Sequence, residues 1–244
     1  MNLVILAAGF ATRLYPLTEH FPKPLLEVRG KTILDWLLDD LAAVVGFEEI
    51  LLVSNHRYAG QFEAWSRTRR EPIAVLDDGS TENENRLGAV RDLALALERC
   101  GTEKPALVMA GDNLLDFSLA RLLRYAREKG TSCVLRYREP SLEKLRRCGV
   151  LTVDAEDRIT GMVEKSPEPP SPWACPPFYV YTPRALALVQ RALAEGCGAD
   201  APGSLLAWLC RRVPVYAMEM PGRRYDIGDL KSYEQVKKEY QGIC

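Results

Sequence analysis

The sequence predicts an α/β fold in which a mostly parallel, doubly wound sheet lies between two layers of helices. Short apolar runs alternate with segments of helical spacing along the first 130 residues, which is typical of parallel sheets. Of the 244 residues, 47% are hydrophobic and 27% charged, so the chain can bury a core without a metal or disulfide staple. No linker divides it, and we expect a single domain over residues 1–244.

The first half of the chain supplies the predicted parallel strands. Four apolar runs are each short enough for a buried strand, at residues 3–7, 50–53, 73–76 and 106–110. Helical spacing covers residues 33–41, with Gly46 ending that helix, and residues 87–97. Ser118 is expected to cap a further helix, which Gly130 ends. The prediction is a Rossmann-like three-layer α/β/α sandwich.

The second half is less regular but still carries strand and helix signals. Strand-like runs occur at residues 133–137, 150–153, 159–163, 178–181 and 213–218. A proline-rich loop is expected over residues 167–177. Thr182 and Pro183 should open a helix that Gly196 closes, and Asp229 should cap a final helix.

Charge and cysteine usage exclude several classes of function. The chain has 32 basic and 33 acidic residues, so it lacks the basic excess of a surface for nucleic acid or anionic membrane. No segment is long enough to span a bilayer, and the apolar start lacks the basic region of a signal peptide. Seven cysteines without a CxxC pair argue against a disulfide framework or zinc site and for a reducing cytoplasm.

The loop after the first strand carries the first chemical signal. It reads AAGFATRL from position 7, and its small residues let backbone N–H groups approach an anion closely. Arg13 adds a forked cation suited to phosphate, and Lys23 stands fixed between Pro22 and Pro24. The loop is neither GxGxxG nor GxxxxGK[ST], so a dinucleotide-binding dehydrogenase or a P-loop enzyme is disfavoured.

These segments together resemble the start of the sugar-phosphate nucleotidyltransferases, LAAGxGTRLxPLTxxxPKPLL, as in enzymes like glucose-1-phosphate thymidylyltransferase. The resemblance implies a GT-A-like nucleotidyltransferase fold, with residues 1–130 binding the nucleotide and residues 131–244 the acceptor. It assigns nucleotide binding to Leu6, Ala7, Ala8, Gly9, Phe10, Ala11, Thr12, Arg13 and Lys23. Ala11 replaces the family's second loop glycine, which would cost on the order of 1 kcal/mol if the position needs a positive φ.

Two aspartates far apart in the sequence are candidates to share one cation. Asp112 follows the fourth predicted strand, where open α/β sheets bind ligands, and Asp226 precedes the last helix in a DIG segment. The resemblance assigns both to a Mg²⁺ ion, which takes oxygen ligands and keeps several waters. It also assigns Asp112 to the nucleotide site, whereas Asp229 is expected only to cap the helix.

The acceptor is expected to bind the second half of the chain. Glu164 and Lys165 resemble the family's EKP segment, in which the glutamate binds sugar hydroxyls and the lysine binds the sugar phosphate. Gly149 matches a glycine that contacts the acceptor through its backbone, and Tyr179 lies on the tyrosine strand. Pro176-Pro177 stands where the family often has Thr-Gly, a departure that leaves the acceptor's identity open.

The base-reading region over residues 77–89 departs most from the resembled pattern. Asn83, Asn85 and Arg86 could read a pyrimidine edge, and Gly88 resembles the glycine of the family's base segment. Asn85 has an alternative role as a helix cap. The resemblance favours dTTP or UTP, with CTP also possible.

The predicted reaction is attack by an oxygen of a sugar 1-phosphate on the α-phosphorus of a nucleoside triphosphate, with release of pyrophosphate. Arg13 should stabilise the β and γ phosphates, Lys23 the α-phosphate and Lys165 the acceptor phosphate. Asp112 and Asp226 complete the predicted catalytic set through Mg²⁺.

Two other functions fit the sequence. One is CMP transfer to phosphocholine or another phospho-alcohol, for which Trp173, Phe178 and Tyr179 could line a cation-accepting pocket. The other is a non-catalytic protein that senses nucleotides or sugar nucleotides. The sequence ends after the last predicted helix, so a C-terminal β-helix domain is not expected, and a homo-oligomer is left open.

Overall fold

The strands of the sheet follow the predicted apolar runs closely. The computed structural model describes residues 1–243. Its strands are β1 (Asn2–Leu6), β2 (Glu27–Val28), β3 (Lys31–Thr32), β4 (Ile50–Ser54), β5 (Ile73–Asp77), β6 (Ala106–Ala110), β7 (Asn113–Leu115), β8 (Ser132–Arg138), β9 (Gly149–Val153), β10 (Ile159–Glu164), β11 (Trp173–Cys175), β12 (Phe178–Tyr181), β13 (Val215–Glu219) and β14 (Arg224–Asp226).

The helices include several that the sequence did not predict, namely α2, α5 and α8. The α-helices are α1 (Ile33–Ala42), α2 (Ala59–Ser66), α3 (Ala89–Cys100), α4 (Ala120–Lys129), α5 (Leu142–Leu145), α6 (Pro183–Leu186), α7 (Val189–Ala194), α8 (Pro202–Leu209) and α9 (Leu230–Glu239). Three single 3-10 turns occupy Thr12–Leu14, Lys23–Leu25 and Asn83–Asn85.

One large mixed sheet organises the molecule. Its strands lie in the order β10-β9-β11-β8-β12-β6-β1-β4-β5, and β13 also pairs with β8. Strands β6, β1, β4 and β5 run parallel, as does the β8–β13 pair, whereas β12 and the strands beyond it pair antiparallel. In chain order, β4 and β5 are added on one side of β1, and the chain then crosses over to add β6 on the other side of β1. This reversal opens a crevice at the carboxyl ends of β1 and β6.

Helices cover both faces of the sheet, which confirms the predicted three-layer α/β class. Val4 belongs to a core that contains residues of α3, α6, α7 and α8. Its neighbours Leu3 and Ile5 belong to a second core with residues of α1, α2 and α4. Successive strand residues point to opposite faces, so a continuous apolar run such as β1 is what a strand covered on both sides requires.

Several predicted element bounds need correction. Helix α1 ends at Ala42 rather than at Gly46, because the N–H groups of Val44 and Val45 both turn back to the carbonyl of Leu41. The helix predicted from Pro183 to Gly196 is two short helices, since the Leu188 N–H bonds the carbonyl three residues back and tightens the chain there.

The proline-rich stretch predicted as a loop over residues 167–177 contains strand β11. The segment Trp173–Cys175 has no proline, so its N–H groups are free to pair, and it does so with both β8 and β9. Helix α3 begins at Ala89 rather than at residue 87, after Gly88.

The last helix forms as predicted and builds a third, smaller core. The Asp229 side chain accepts the Ser232 N–H at 2.7 Å, which caps α9. Tyr233, Val236 and Tyr240 pack on Leu14 of the first loop and Ile227 of the DIG segment. Because α9 packs on both segments, it helps to hold the first loop and the DIG segment together.

Two further findings concern the whole described chain. Within residues 1–243, no helix is both long enough and apolar enough to cross a membrane. Six cysteines are free thiols, namely Cys100, Cys133, Cys148, Cys175, Cys197 and Cys210, and Cys244 lies outside the described residues.

Candidate active site

A cavity of about 570 Å³ occupies the crevice at the carboxyl ends of β1 and β6. Residues from both halves of the chain line it. Of the predicted site residues, the lining includes Leu6, Ala7, Ala8, Gly9, Phe10, Ala11, Thr12, Arg13, Lys23, Asn83, Arg86, Gly88, Asp112, Glu164, Lys165 and Tyr179. Asn85, Gly149 and Asp226 are not part of that lining. One crevice therefore collects most residues that the sequence assigned separately to nucleotide and acceptor.

The first loop is held in shape from beneath. The Asn55 side chain donates to the carbonyl of Ala8 at 3.0 Å, and the Tyr58 hydroxyl donates to the carbonyl of Thr18 at 2.5 Å. The Thr18 hydroxyl in turn donates to the carbonyl of Ala11 at 2.8 Å. Phe10 is buried against Tyr58. Because these bonds use carbonyls, they do not occupy the loop's N–H groups, of which those at the two ends, in Ala7 and Leu14, bond the carbonyls of Val53 and Ala11.

Ala11 adopts the left-handed conformation for which the family uses glycine. Its φ is 47° and its ψ is 42°, just before the 3-10 turn at Thr12–Leu14. The position therefore needs a positive φ, and the alanine side chain carries the expected cost of about 1 kcal/mol. The loop holds this shape in spite of the side chain, through the bond between Thr18 and Ala11.

Replacing Ala11 with glycine is expected to raise the free energy of unfolding by up to about 1 kcal/mol, because glycine adopts positive φ without steric cost. Urea unfolding of Ala11→Gly and its parent measures the effect. The matched control is Ala64→Gly in the exposed middle of α2, which should lose about 0.5–1 kcal/mol. If both variants lose stability alike, the left-handed strain at Ala11 is not real.

Lys23 and Asp112 form the central ion pair of the cavity. The Lys23 ammonium lies 2.7 Å from Asp112 Oδ2, and the lysine side chain is only 9% exposed. Pro22 precedes the 3-10 turn that begins at Lys23, and Pro24 lies within that turn, so a proline on each side holds the lysine inward, as the sequence suggested. Burial raises the pKa of Asp112, but the charge and hydrogen bond of Lys23, together with Arg224, outweigh burial and lower it. Asp112 is therefore a carboxylate.

Strand pairing brings the second predicted metal ligand beside the first. Asp226 lies opposite Asn113 in the antiparallel β14–β7 pair, and Asn113 directly follows Asp112 in the sequence. Arg224 lies near both aspartates, donating to Asn113 Oδ1 at 2.6 Å and standing 3.5 Å from Asp226 Oδ1. Nothing in the sequence indicates this arginine's role, because only the strand pairing shows where it lies.

The donor set fits a magnesium ion shared with substrate. Within residues 1–243, no cluster of three His, Cys, Asp or Glu side chains could hold a metal by itself. Two carboxylates, Asp112 and Asp226, are what Mg²⁺ uses when phosphates and water complete its shell. The Asp226 side chain is 62% exposed, so solvent reaches its oxygens, although Asp226 is not part of the cavity lining.

Arg13 is exposed, and it lies in the wall of the cavity beside the DIG segment. Its guanidinium lies 3.8 Å from the point where a Cβ on Gly228 would stand. Its position between the first loop and Gly228 suits a cation that contacts the far phosphates of a bound triphosphate.

On the acceptor side, Glu164 lies between two glycines. A side chain on either Gly149 or Gly203 would run into the Glu164 carboxylate. Burial raises the pKa of Glu164, while the Lys165 charge and the Gly203 N–H oppose that rise. Gly149 thus makes room for Glu164, although it is not itself in the cavity wall. Lys165, with a φ of 48°, projects into the same cavity.

On the nucleotide-base side, the structure separates the candidate residues. Asn83 and Arg86 line the cavity, whereas Asn85 uses its amide within its own turn, accepting the N–H groups of Thr81 and Glu82 at 3.1 Å. Asn85 therefore serves the local turn and is not carried into the proposal below. It also does not cap α3, which begins four residues later.

Asp92 is a cavity residue that the sequence did not single out. It lies in the first turn of α3 and is only 4% exposed, and its Oδ1 atom has no hydrogen-bond donor. Asp78 Oδ2 is also buried without a donor. Burial, reinforced by the charge and hydrogen bond of Asp78, raises the pKa of Asp92 to about 7. An acid at a helix start ordinarily indicates a cap, so the sequence offered no signal.

Comparison with known proteins agrees with this geometry. A relative from Haloferax volcanii, named UTP–glucose-1-phosphate uridylyltransferase, is 28% identical, covering 99% of this chain and 97% of its own. The mannose-1-phosphate guanylyltransferase catalytic subunit beta of Drosophila pseudoobscura is 30% identical over 94% of this chain. The present chain spans only 60% of that longer protein.

Solved structures share the fold at lower identity. A putative glucose-1-phosphate thymidylyltransferase from Bacillus anthracis, in complex with a sucrose, superposes with a TM-score of 0.82 at 20% identity, covering 99% of this chain and 96% of its own. A UDP-glucose pyrophosphorylase complexed with UDP-glucose gives 0.80 at 21%, covering 98% and 97%.

Fold, crevice and relatives together define the class of protein, an α/β enzyme that transfers nucleotidyl groups. The profile of the Nucleotidyl transferase family matches residues 2–242, nearly the whole chain. The chain belongs to this family, which confirms the resemblance seen in its first loop.

Proposed function

We propose that this chain is a magnesium-dependent, cytoplasmic nucleotidyltransferase that joins a nucleoside triphosphate to a sugar 1-phosphate, giving a nucleoside diphosphate sugar and pyrophosphate. UTP and dTTP are the favoured nucleotides, and CTP is a further candidate. One observation supports the proposal above others. The Lys23–Asp112 pair, 2.7 Å apart beside the first loop, lines the same cavity as Lys165 of the acceptor half.

The reaction needs charge compensation more than a proton-transfer group. A phosphate oxygen of the acceptor attacks the α-phosphorus, a new P–O bond forms, and the bond to the β-phosphate oxygen breaks. The acceptor oxygen is already ionised, so no general base is required. Catalysis then depends on holding two anions in line within a site of fixed positive groups.

Each cation has a separate task in this proposal. Lys23 is buried and held by Asp112, so it presents a fixed charge to the α-phosphate. Arg13 lies nearer the DIG segment and contacts the departing β and γ phosphates. Lys165 holds the acceptor phosphate, and the Glu164 carboxylate beside it accepts hydrogen bonds from hydroxyl groups of the sugar. Asp112 and Asp226 would hold a Mg²⁺ ion, which would supply further positive charge for the phosphates.

The phosphocholine alternative loses its structural support. Phe178 and Tyr179 are buried, at 0% and 2% exposed, and the Tyr179 ring stacks on Tyr181. Trp173 is covered by the Arg136 guanidinium, 4.4 Å from its ring centroid. Of these three residues only Tyr179 lines the cavity, so together they do not form a cage there for a quaternary ammonium group.

A pyrophosphate-release screen tests the proposed function. The purified chain is mixed with Mg²⁺, one of UTP, dTTP, CTP, GTP or ATP, and one of glucose 1-phosphate, mannose 1-phosphate or phosphocholine. We expect pyrophosphate and a nucleoside diphosphate sugar with a sugar 1-phosphate, and none without acceptor or with excess EDTA. Nucleotide binding without product in every combination would overturn the proposal and favour a sensing protein.

A further inference from the structure

A short segment of the acceptor half caps the helix that begins on the nucleotide side. The Ala89 N–H donates to the carbonyl of Asp200 at 3.2 Å, and the Val90 N–H donates to the carbonyl of Ala199 at 3.0 Å. The first N–H groups of a helix have no partner within it, so these bonds satisfy two of them. The main chain at residues 199–200 is thereby fixed against α3.

Gly88 makes this close approach possible. Its φ is 91°, and a Cβ there would stand 2.5 Å from the carbonyl oxygen of Ala199. A larger residue would push residues 199–200 away from the start of α3. The glycine that the sequence assigned to base binding therefore also serves the contact between the two walls of the crevice.

The side chain of Asp200 joins two cations from opposite walls. Its Oδ1 accepts a hydrogen bond from Arg86 Nε at 2.9 Å, and its Oδ2 lies 3.6 Å from Lys165 Nζ. All three side chains line the cavity. The Arg86 hydrogen bond has the largest effect and lowers the pKa of Asp200; burial opposes it, and the Arg86 and Lys165 charges lower the pKa further. Asp200 therefore remains a carboxylate at neutral pH.

We propose that Asp200 is a positioning residue for acceptor binding, acting by holding the Lys165 ammonium where it meets the acceptor phosphate. The proposal rests on the proposed function of the same site. A lysine has a long flexible stem, and its conformational freedom must be lost when it binds a phosphate. Asp200 restricts the freedom of the Lys165 side chain before the phosphate binds. It can do so because its own main chain is fixed against α3.

Asp200 contributes to orientation much more than to folding. The Asp200 and Lys165 side chains are 55% and 59% exposed, and ion pairs this exposed add little to stability. Arg86 offsets the carboxylate's own repulsion of an incoming phosphate. The three side chains together carry a net positive charge, so the anionic acceptor is still attracted.

The test compares three variants in steady-state kinetics with UTP and glucose 1-phosphate, or the best pair from the screen. Asp200→Asn is expected to raise the KM for the sugar phosphate about five- to tenfold, while the nucleotide KM and kcat change less than about twofold. Asp200→Glu keeps the carboxylate and should restore much of the acceptor KM. Glu195→Gln is the matched control, because Glu195 also binds two arginines but does not line the cavity.

The outcomes separate the two proposals. An unchanged acceptor KM in Asp200→Asn, with an active parent, overturns the positioning role alone. A second pattern also overturns the positioning role. In it, Asp200→Asn raises both KM values equally and lowers the melting temperature, and Asp200→Glu restores neither. That pattern indicates a structural role only. A parent that releases no pyrophosphate with any acceptor overturns the proposed function, and this inference falls with it.

Discussion

Replacing Asp112 with asparagine is expected to lower kcat at least about 100-fold, a loss of the size seen when one fixed charge-stabilising group is removed from an active site. Asparagine keeps the shape of the side chain but removes the charge that would hold Mg²⁺. It also leaves Lys23 without its partner at 2.7 Å. Pyrophosphate release at saturating substrates measures the effect, and the residual rate should no longer respond to Mg²⁺ over the range that saturates the parent.

The folded state of the Asp112→Asn variant has to be verified separately. Lys23 is only 9% exposed, so loss of its counter-charge costs some stability. Circular dichroism should show the same spectrum as the parent and full folding at the assay temperature. Asp154→Asn, in an exposed turn beyond β9, is the control and should keep parental activity. Near-parental turnover of Asp112→Asn with Mg²⁺ present would contradict the assignment of Asp112 as a catalytic metal ligand.

Replacing Asp92 with asparagine is expected to increase stability at pH 8 by a few kcal/mol and to flatten its dependence on pH. The folded protein raises the pKa of Asp92 from 3.8 to about 7. Between those values the folded state binds more protons than the unfolded chain, so the parent loses stability as pH rises through this window. Over the whole window the loss in the free energy of unfolding amounts to about 4 kcal/mol. Asparagine does not titrate and can donate a hydrogen bond to Asp78.

Urea unfolding at pH 5, 6, 7 and 8 measures the effect of Asp92→Asn. Parent and variant should be closest in stability at pH 5 and furthest apart at pH 8. Glu156→Gln changes an exposed carboxyl between β9 and β10, and its profile should follow the parent's. Parallel profiles for Asp92→Asn and parent would show that another group titrates in this range.

Local patterns correctly placed the first loop, Lys23 and Asp112 in one crevice. Lys23 and Asp112 are 89 positions apart in the sequence, yet each was assigned from the few residues around it. A buried parallel strand ends at a defined edge of the sheet, so residues just beyond β1 and β6 must meet there. The family's glycine at position 11 raised the question of a positive φ there, and the structure answers it with a φ of 47°.

Residues placed by contact between distant segments could not be predicted in this way. Asp200 lies in a segment without periodicity, and its role appears only when residues 199–200 meet Gly88. Arg224 gains its position from the pairing of β14 with β7. Strand β11 was hidden by neighbouring prolines, although its own three residues can pair normally. Asp92 resembled an ordinary acid at a helix start until the structure showed it buried beside Asp78.

The cap that residues 199–200 provide for α3 also affects how the protein is made. A ribosome releases Ala89 and Val90 well before it synthesises Ala199 and Asp200, whose carbonyls receive their N–H groups. During that interval the emerging helix has an open amino-terminal end, and its apolar face lacks α7 and α8 as packing partners. The wall of the cavity at the start of α3 is therefore completed only late in translation, and a chain interrupted before residue 199 would leave α3 uncapped.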